Sequence, residues 1–366
     1  MLSFFKGHPV GQVVLPVSMS EGASVYILWC TVQLRAVIYT LTTVGYIMSQ
    51  KVTWTELNPS NPPLERSSHG VSIVGDTLYM FGGEHSARHP VNDTLYALDL
   101  GKPGQSWREV KVTGNPPVPR FGHAQAVLGD CIYIFGGRMG VAIDEKLLND
   151  LFMFNTVTGV WSQVNQAGPL PSPRSFHKMV SAGGKLYVFG GCPAEGRLAD
   201  LHAYDPATET WAALETSQME GRGGAGLLVD PQGSALYVLG GFAGREMKDV
   251  HRYGLGEGKW SKMSEEMSKA VSVALCAAVG QQIVHFGGEL APSSRGHAGA
   301  GNFSEDLIFF GKNMEEIVRQ GGGAPARGWS AGDVWRGDSL VVVGGLTGDD
   351  ENPTRLMDVW CAKIHN

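Results

Sequence analysis

The sequence predicts an all-β fold built from six copies of one repeat. A run of strand-forming residues that ends in two glycines occurs six times, and the glycine pairs lie at positions 82–83, 136–137, 190–191, 240–241, 287–288 and 344–345. Successive pairs are 47–57 residues apart, a spacing typical of repeats that contain several strands each. The chain has 50 glycines without a three-residue period, which indicates turns and close backbone contacts rather than a collagen-like helix.

Each repeat has strand signals on both sides of its glycine pair. In the first repeat, residues 69–75 precede the pair and residues 95–99 follow it, and both runs contain residues that favour strands. A fourth strand then carries Trp107. The next three repeats also have a tryptophan at this point, at Trp161, Trp211 and Trp260. The fifth repeat departs from the pattern, because residues 315–317 (Glu-Glu-Ile) stand where the tryptophan is expected.

Four strands per unit, with a glycine pair and a spaced tyrosine and tryptophan, resemble the kelch repeat. The resemblance covers residues 52–365 and implies a six-bladed kelch-type β-propeller, in which four-stranded blades surround a central channel. The sixth repeat ends with its third strand at residues 357–363, whereas residues 52–57 form an isolated strand that carries Trp54. We therefore expect this N-terminal strand to complete the last blade and close the ring, which removes exposed sheet edges.

Residues 1–47 are expected to be an N-terminal extension outside the fold, with the propeller at residues 48–366. The extension is interpreted as an upstream segment added by a misassigned start, since Met48 leads directly into the first repeat strand. The alternative is a membrane anchor, because residues 23–48 are largely apolar and about long enough to span a bilayer. Gln33 and Arg35 near the middle of that segment argue against insertion.

Net charge and cysteine content indicate which partners and which cellular location to expect. The net charge of −6 and the isoelectric point near 6.0 argue against a nucleic-acid partner, because such proteins need a cationic face. The five cysteines are scattered and show no metal-binding spacing. A reducing, cytoplasmic location without a membrane partner is therefore expected.

Several motifs resemble a narrower family, the plant specifier proteins, which include epithiospecifier, nitrile-specifier and thiocyanate-forming proteins. The motifs that carry this resemblance are residues 66–70 with 82–84, 134–138, 174–177, 222–226, 289–302 and 325–329. Proteins of this family redirect the breakdown of glucosinolate aglucones. The resemblance implies that the propeller binds a small, anionic, reactive metabolite and directs its breakdown in a lyase- or isomerase-like, Fe(II)-dependent way.

The metal site implied by the resemblance is a Glu-x3-Asp-x3-His loop in the fifth repeat. Glu289 and His297 occupy its first and third ligand positions, but Ser293 stands where the family has aspartate. Ferrous sites favour carboxylate and imidazole ligands, and a neutral hydroxyl is a poor substitute. The alternative is that Glu289 caps a turn and His297 packs within a glycine-rich loop.

The ligand pocket implied by the resemblance contains arginine and aromatic side chains. Arg138 directly follows a glycine pair in one repeat only, and its guanidinium could hold a sulfate or carboxylate with two hydrogen bonds. Arg138, Phe176 and Trp329 match the reactive part of the family's pocket. Further candidate ligand-binding residues are Arg66, Glu84, Arg174, Arg222 and Arg327. Because these four arginines recur at equivalent points of the repeats, the alternative is that they bond carbonyl groups between blades.

Two other functions remain compatible with the sequence. The first is a kelch module without catalytic activity that presents its loops to a protein partner. The second, less favoured, is a sugar mutarotase-like propeller. The Tyr, His and crosslinked Cys arrangement of a galactose oxidase copper centre has no counterpart that we can place in this sequence.

Overall fold

The computed structural model describes residues 51–102, 104–140, 146–311 and 313–365. These residues form six blades, each a four-stranded antiparallel sheet to which one blade adds a further short strand. The predicted extension at residues 1–47 and the alternative anchor at residues 23–48 lie outside the described residues, so both stay predictions. Within the described ranges, no helix has the length and apolar character needed to cross a membrane.

The strands occupy four equivalent positions in the blades. The innermost strands are β2 (Gly70–Val74), β9 (Ala124–Leu128), β13 (Lys178–Ala182), β17 (Gly226–Val229), β21 (Leu275–Val279) and β27 (Ala331–Trp335). The second strands are β3 (Thr77–Phe81), β10 (Cys131–Met139), β14 (Lys185–Gly191), β18 (Ala235–Phe242), β22 (Gln282–Phe286) and β28 (Ser339–Thr347). Each innermost strand contacts the innermost strands of the two neighbouring blades, so the six strands surround a central channel.

The outer half of each blade contains the third and fourth strands. The third strands are β6 (Tyr96–Asp99), β11 (Lys146–Asn155), β15 (Leu198–Asp205), β19 (Glu246–Gly254), β25 (Leu307–Phe310) and β29 (Thr354–His365). The outermost strands are β7 (Arg108–Glu109), β12 (Val160–Gln163), β16 (Thr210–Ala213), β20 (Lys259–Lys262), β26 (Glu316–Gln320) and β1 (Lys51–Glu56). Short additional strands are β4 (Glu84–Ser86), β5 (His89–Pro90), β8 (Thr113–Gly114), β23 (Glu289–Ala291) and β24 (Asn302–Phe303).

The N-terminal strand closes the ring, as the sequence predicts. Strand β1 is the outermost strand of the sixth blade and pairs antiparallel with β29, with Lys51 opposite His365 and Glu56 opposite Trp360. The ring of Trp54 lies 5.1 Å from that of Phe286 in the fifth blade. The closing strand therefore packs on a neighbouring blade as well as completing its own.

The glycine pairs allow the second strand of each blade to approach the next blade closely. Both glycines of every pair have positive φ, for example 63° at Gly82 and 96° at Gly83, a region that disfavours other residues. A Cβ atom on Gly82 would lie 2.5 Å from the carbonyl oxygen of Arg120 in the next blade. The second glycine of each pair donates its backbone N–H to a carbonyl of the following blade, and the bond from Gly345 to Arg66 joins the sixth blade to the first.

A second set of backbone hydrogen bonds forms a closed ring around the channel. Six residues at equivalent positions, one in each blade, have positive φ of 47–60°, and these residues are Ser68, Gly122, Phe176, Gly224, Val273 and Trp329. Each donates its N–H to the carbonyl of the corresponding residue in the preceding blade, at 2.7–3.1 Å. We call these six residues the channel ring. It lies immediately before the innermost strands and fixes the backbone at the mouth of the channel.

Candidate ligand-binding funnel

The loops that follow the glycine pairs enclose a cavity of about 510 Å³ at one end of the channel. We call this cavity the funnel. Seven residues that the sequence singles out line it: Glu84, Arg138, Phe176, Glu289, Ser293, His297 and Trp329. The structure thus brings together the predicted aromatic residues, the predicted metal loop and one predicted arginine.

The recurring arginines lie elsewhere, which corrects their assignment as ligand-binding residues. Arg174, Arg222 and Arg327 are at most 1% exposed and are absent from the funnel lining. Each forms two short hydrogen bonds with an aspartate on the third strand of its own blade, and the partners are Asp200, Asp249 and Asp358. Each also donates to the carbonyl of the first glycine in its own pair. These arginines therefore hold the glycine turns in place, as Arg120 does through Asp150.

Arg66 is buried in the same way, but it has no aspartate partner in the part of the chain that the structure describes. It donates to the carbonyls of Leu64 and Gly82, and its guanidinium lies 5.3 Å from the ring centre of Tyr96. Burial lowers the pKa of Arg66 to about 10, and Tyr96 opposes part of that change. Arg66 is 1% exposed and does not line the funnel, so it is also structural.

Aromatic side chains from three blades surround the imidazole of His297. The ring centroids of Phe121, Phe176 and Trp329 lie 6.0, 5.5 and 5.2 Å from that of His297. Phe176 and Trp329 belong to the channel ring, and their positive φ aims both side chains at the same space. The loop of the fifth blade therefore delivers His297 into an aromatic cage in the funnel.

His297 is held there by Glu84 of the first blade. Its Nε2 lies 2.9 Å from Oε1 of Glu84, which also accepts a hydrogen bond from the Ser68 hydroxyl. The other carboxylate oxygen accepts the backbone N–H of Arg88 at 2.7 Å. Burial alone would raise the pKa of Glu84, but His297, the backbone N–H of Arg88 and the charge of Arg355 lower it. Glu84 is therefore a buried carboxylate that positions the loop of another blade.

Glu289 and Ser293 have partners of their own. The backbone amides of Gly301 and Ser293 donate to the Glu289 carboxylate, while burial raises the pKa of Glu289 to about 7. The Ser293 hydroxyl donates to Asp350 of the sixth blade. Among the described residues, no group of three His, Cys, Asp or Glu side chains converges on one point. The donor set as arranged does not fit Fe(II), since the imidazole faces Glu84 and position 293 faces Asp350.

The funnel contains three arginines that the repeat pattern does not reveal. Together with Arg138, the cavity is lined by Arg88, Arg197 and Arg355. The guanidinium of Arg197 lies 5.5 Å from the ring centre of Phe242, and Arg355 donates to the Ser67 hydroxyl. Each of these arginines occurs in one repeat only, and this lack of an equivalent in the other repeats could have identified them from the sequence. Among the described residues, the lining of the funnel contains four guanidinium groups and two carboxyl groups, those of Glu84 and Glu289.

Comparisons with known proteins agree with this architecture. The model of the KLHDC2/KLHL20/DRC7 Kelch-repeats domain matches residues 37–174 and 68–288. The chain is 33% identical over 304 residues to the N-(sulfonatooxy)prop-2-enimidothioate sulfolyase of Thlaspi arvense. The alignment covers 74% of this chain and 84% of that protein. It is 29% identical over 261 residues to Kelch domain-containing protein 3 of Rattus norvegicus, covering 64% of this chain and 66% of that protein.

A solved structure shows the same fold. The structure of YjhT superposes with a TM-score of 0.68 at 19% identity and covers 85% of this chain and 99% of that chain. The repeats, the closed ring of blades and the matching family model lead to one assignment. The chain belongs to the kelch-repeat β-propeller proteins and is related to the plant specifier proteins among them.

Proposed function

We propose that the funnel binds a small, sulfate-bearing organic anion and directs its breakdown, as a specifier-like lyase. The observation that carries this proposal is the lining of one cavity by four arginines and by the aromatic rings of Phe121, Phe176 and Trp329. Guanidinium groups bind sulfate oxygens with two parallel hydrogen bonds. Aromatic rings supply apolar contact for the organic part of the ligand.

The sulfolyase relationship supports the ligand class. The name of the Thlaspi arvense protein describes lyase chemistry on an N-(sulfonatooxy) compound. This chain spans 84% of that protein, and its funnel has the positive charge that a sulfate ester requires. The ligand proposed here is therefore of the same class, with the sulfate at Arg138 and Arg197.

Within the funnel, His297 is the residue best placed to move a proton. Its imidazole lies among the three aromatic rings and bonds to the buried Glu84 carboxylate, which orients the ring. A carboxylate–imidazole pair is a common device for proton transfer to a leaving group. Glu84 is thus a positioning residue, and His297 is the candidate acid or base.

The test is the product distribution from N-(sulfonatooxy)prop-2-enimidothioate released in the assay from its glucosinolate by a glucosidase. We expect wild-type protein to change the ratio of products relative to the glucosidase alone. Phe176→Ala, which removes an aromatic wall of the cage, should abolish the change. A product ratio identical with and without wild-type protein would overturn the proposal.

A second function is favoured by the similarity to Kelch domain-containing protein 3 and to the kelch-repeat family model. In that function the loops around the funnel bind a protein partner. It predicts that the chain leaves the product ratio unchanged.

A further inference from the structure

The floor of the funnel is formed by side chains of the channel ring. Phe176, Val273 and Trp329 line the funnel, and all three belong to the ring. A second cavity of about 330 Å³, which we call the channel cavity, is lined by residues of all six innermost strands. The two cavities share no lining residue. Since the ring lies immediately before the innermost strands, its side chains mark the inner end of the funnel.

Val273 has a backbone conformation that its own side chain disfavours. Its φ is 47°, and among the described residues it is the one β-branched residue with a positive φ. Residues in this region of φ are strained, and they are concentrated at ligand-binding and active sites. The strain at Val273 therefore points to a function of its side chain.

The other ring residues that carry side chains have partners in the funnel. Ser68 donates its hydroxyl to Glu84, and Phe176 and Trp329 belong to the aromatic cage. Two further ring positions are glycines. Val273 supplies the remaining side chain, an isopropyl group without polar atoms, so its contacts in the funnel are apolar.

Glycines of two neighbouring blades make room for this isopropyl group. A Cβ atom on Gly224 of the fourth blade would lie 2.6 Å from Cγ1 of Val273. A Cβ atom on Gly328 of the sixth blade would lie 3.1 Å from its Cγ2. Val273 is 8% exposed and lines the funnel. The side chain is thus held between two blades with its remaining surface toward the funnel.

We propose that Val273 determines specificity by setting the length of the organic group that the funnel accepts. The inference rests on the proposed function, in which Arg138 and Arg197 of the second and third blades bind the sulfate. In a ring of six blades the fifth lies opposite the second, so an organic group that crosses the funnel from these arginines extends toward Val273. Once the group reaches the isopropyl side chain, a longer chain gains no further apolar contact.

The experiment measures by calorimetry the affinity of the full chain for n-alkyl sulfates from methyl to octyl sulfate. Each methylene that becomes buried should tighten binding about fourfold, until the alkyl chain reaches the floor and the gain stops. In Val273→Ala, which removes two methyl groups, the gain should continue for about one more methylene. In Val273→Leu, which adds one carbon, it should stop about one methylene earlier.

The matched control is Val229→Ala, which removes the same two methyl groups from a valine that lines the channel cavity. It should keep the wild-type limit of chain length, and circular dichroism confirms that each variant is folded. The wild-type limit in a folded Val273 variant would overturn this inference and leave the proposed function standing. If no alkyl sulfate binds to wild type, the proposed function fails and this inference fails with it.

Discussion

The arginines of this propeller fall into two groups that differ in what surrounds the guanidinium. Those that recur in the blades are buried and bonded to aspartates or carbonyl groups. Those that occur once, such as Arg138 and Arg197, line the funnel. Repetition along the sequence therefore separates the arginines that support the blades from the arginines that line the funnel.

The recurring, buried arginines are expected to contribute to the free energy of unfolding. Asp200→Asn leaves the guanidinium of Arg174, which is 0% exposed, without its carboxylate partner. Because the Asp200 side chain is 29% exposed, we expect a loss of about 2–4 kcal/mol in the free energy of unfolding, below the full penalty for a buried unpaired charge. Urea unfolding at pH 7 measures it.

The matched control is Asp205→Asn in the same blade, which removes a partner of the exposed Lys185. It should cost less than about 1 kcal/mol. Equal losses for the two variants would show that the Arg174 pair is not structural.

The same ion pair predicts a dependence of stability on pH. Burial alone would raise the pKa of Asp200, but bonding to His202 and Arg174 lowers it below its usual value. The contribution of Asp200 to the free energy of unfolding is thus fully present above about pH 4, and it is lost as the pH falls below that value.

The prediction for Fe(II) also concerns single residues. The resemblance to specifier proteins implies Fe(II), but His297 bonds to Glu84 and Ser293 bonds to Asp350. We expect anaerobic titration of wild type with Fe(II) to give no more binding than His297→Ala. Ser293→Asp should not improve it, because the new carboxylate would face Asp350. One equivalent of Fe(II) bound by wild type and lost in His297→Ala would contradict this prediction.

The sequence identifies the funnel residues better than it identifies their partners. The contact between His297 and Glu84 joins residues 213 apart in different blades, and no local pattern marks it. Likewise, the aspartates that bind the recurring arginines follow them at varying separations of 26–31 residues. Residues on different strands or blades meet only after the chain has folded, so their separation in the sequence is not fixed.

At the scale of strands, the closing element leaves a clear signal. A strand that carries tryptophan precedes the first full repeat, and the last repeat lacks its fourth strand. The two incomplete parts complement each other, and the structure confirms that they pair. The glycine pairs are equally informative, because their positive φ and close contacts admit few other residues.

The packing of the closing strand β1 is also expected to contribute to the free energy of unfolding. Trp54→Ala removes the contact of β1 with Phe286 in the fifth blade and Trp360 in its own blade. Since Trp54 is partly buried, we expect a loss of about 2–4 kcal/mol. Thr55→Ala, at the adjacent exposed position of the same strand, should cost less than about 0.5 kcal/mol. If both variants unfold at the wild-type temperature, closure does not depend on this packing.

At the scale of the whole molecule, the channel ring divides the channel into two polar cavities. The funnel collects the arginines, the aromatic cage and the loop of His297, whereas the channel cavity contains Lys178 and Gln125. A net charge of −6 for the chain coexists with this concentration of positive groups at the funnel. The described lining of the funnel therefore differs in charge from the chain as a whole.

Calorimetric titration of propyl sulfate, a stable sulfate-bearing anion, into wild type, Arg138→Ala and Arg336→Ala tests whether the funnel binds an anion. Arg336 is exposed and paired with Asp76 away from the funnel, so its variant is the matched control. Loss of a charged hydrogen-bond partner costs about 1.5–3 kcal/mol, so Arg138→Ala should bind ten- to a hundredfold more weakly. Wild type and Arg336→Ala should bind equally well. Absence of binding to wild type, or the same affinity in all three proteins, would contradict the claim that the funnel is an anion site.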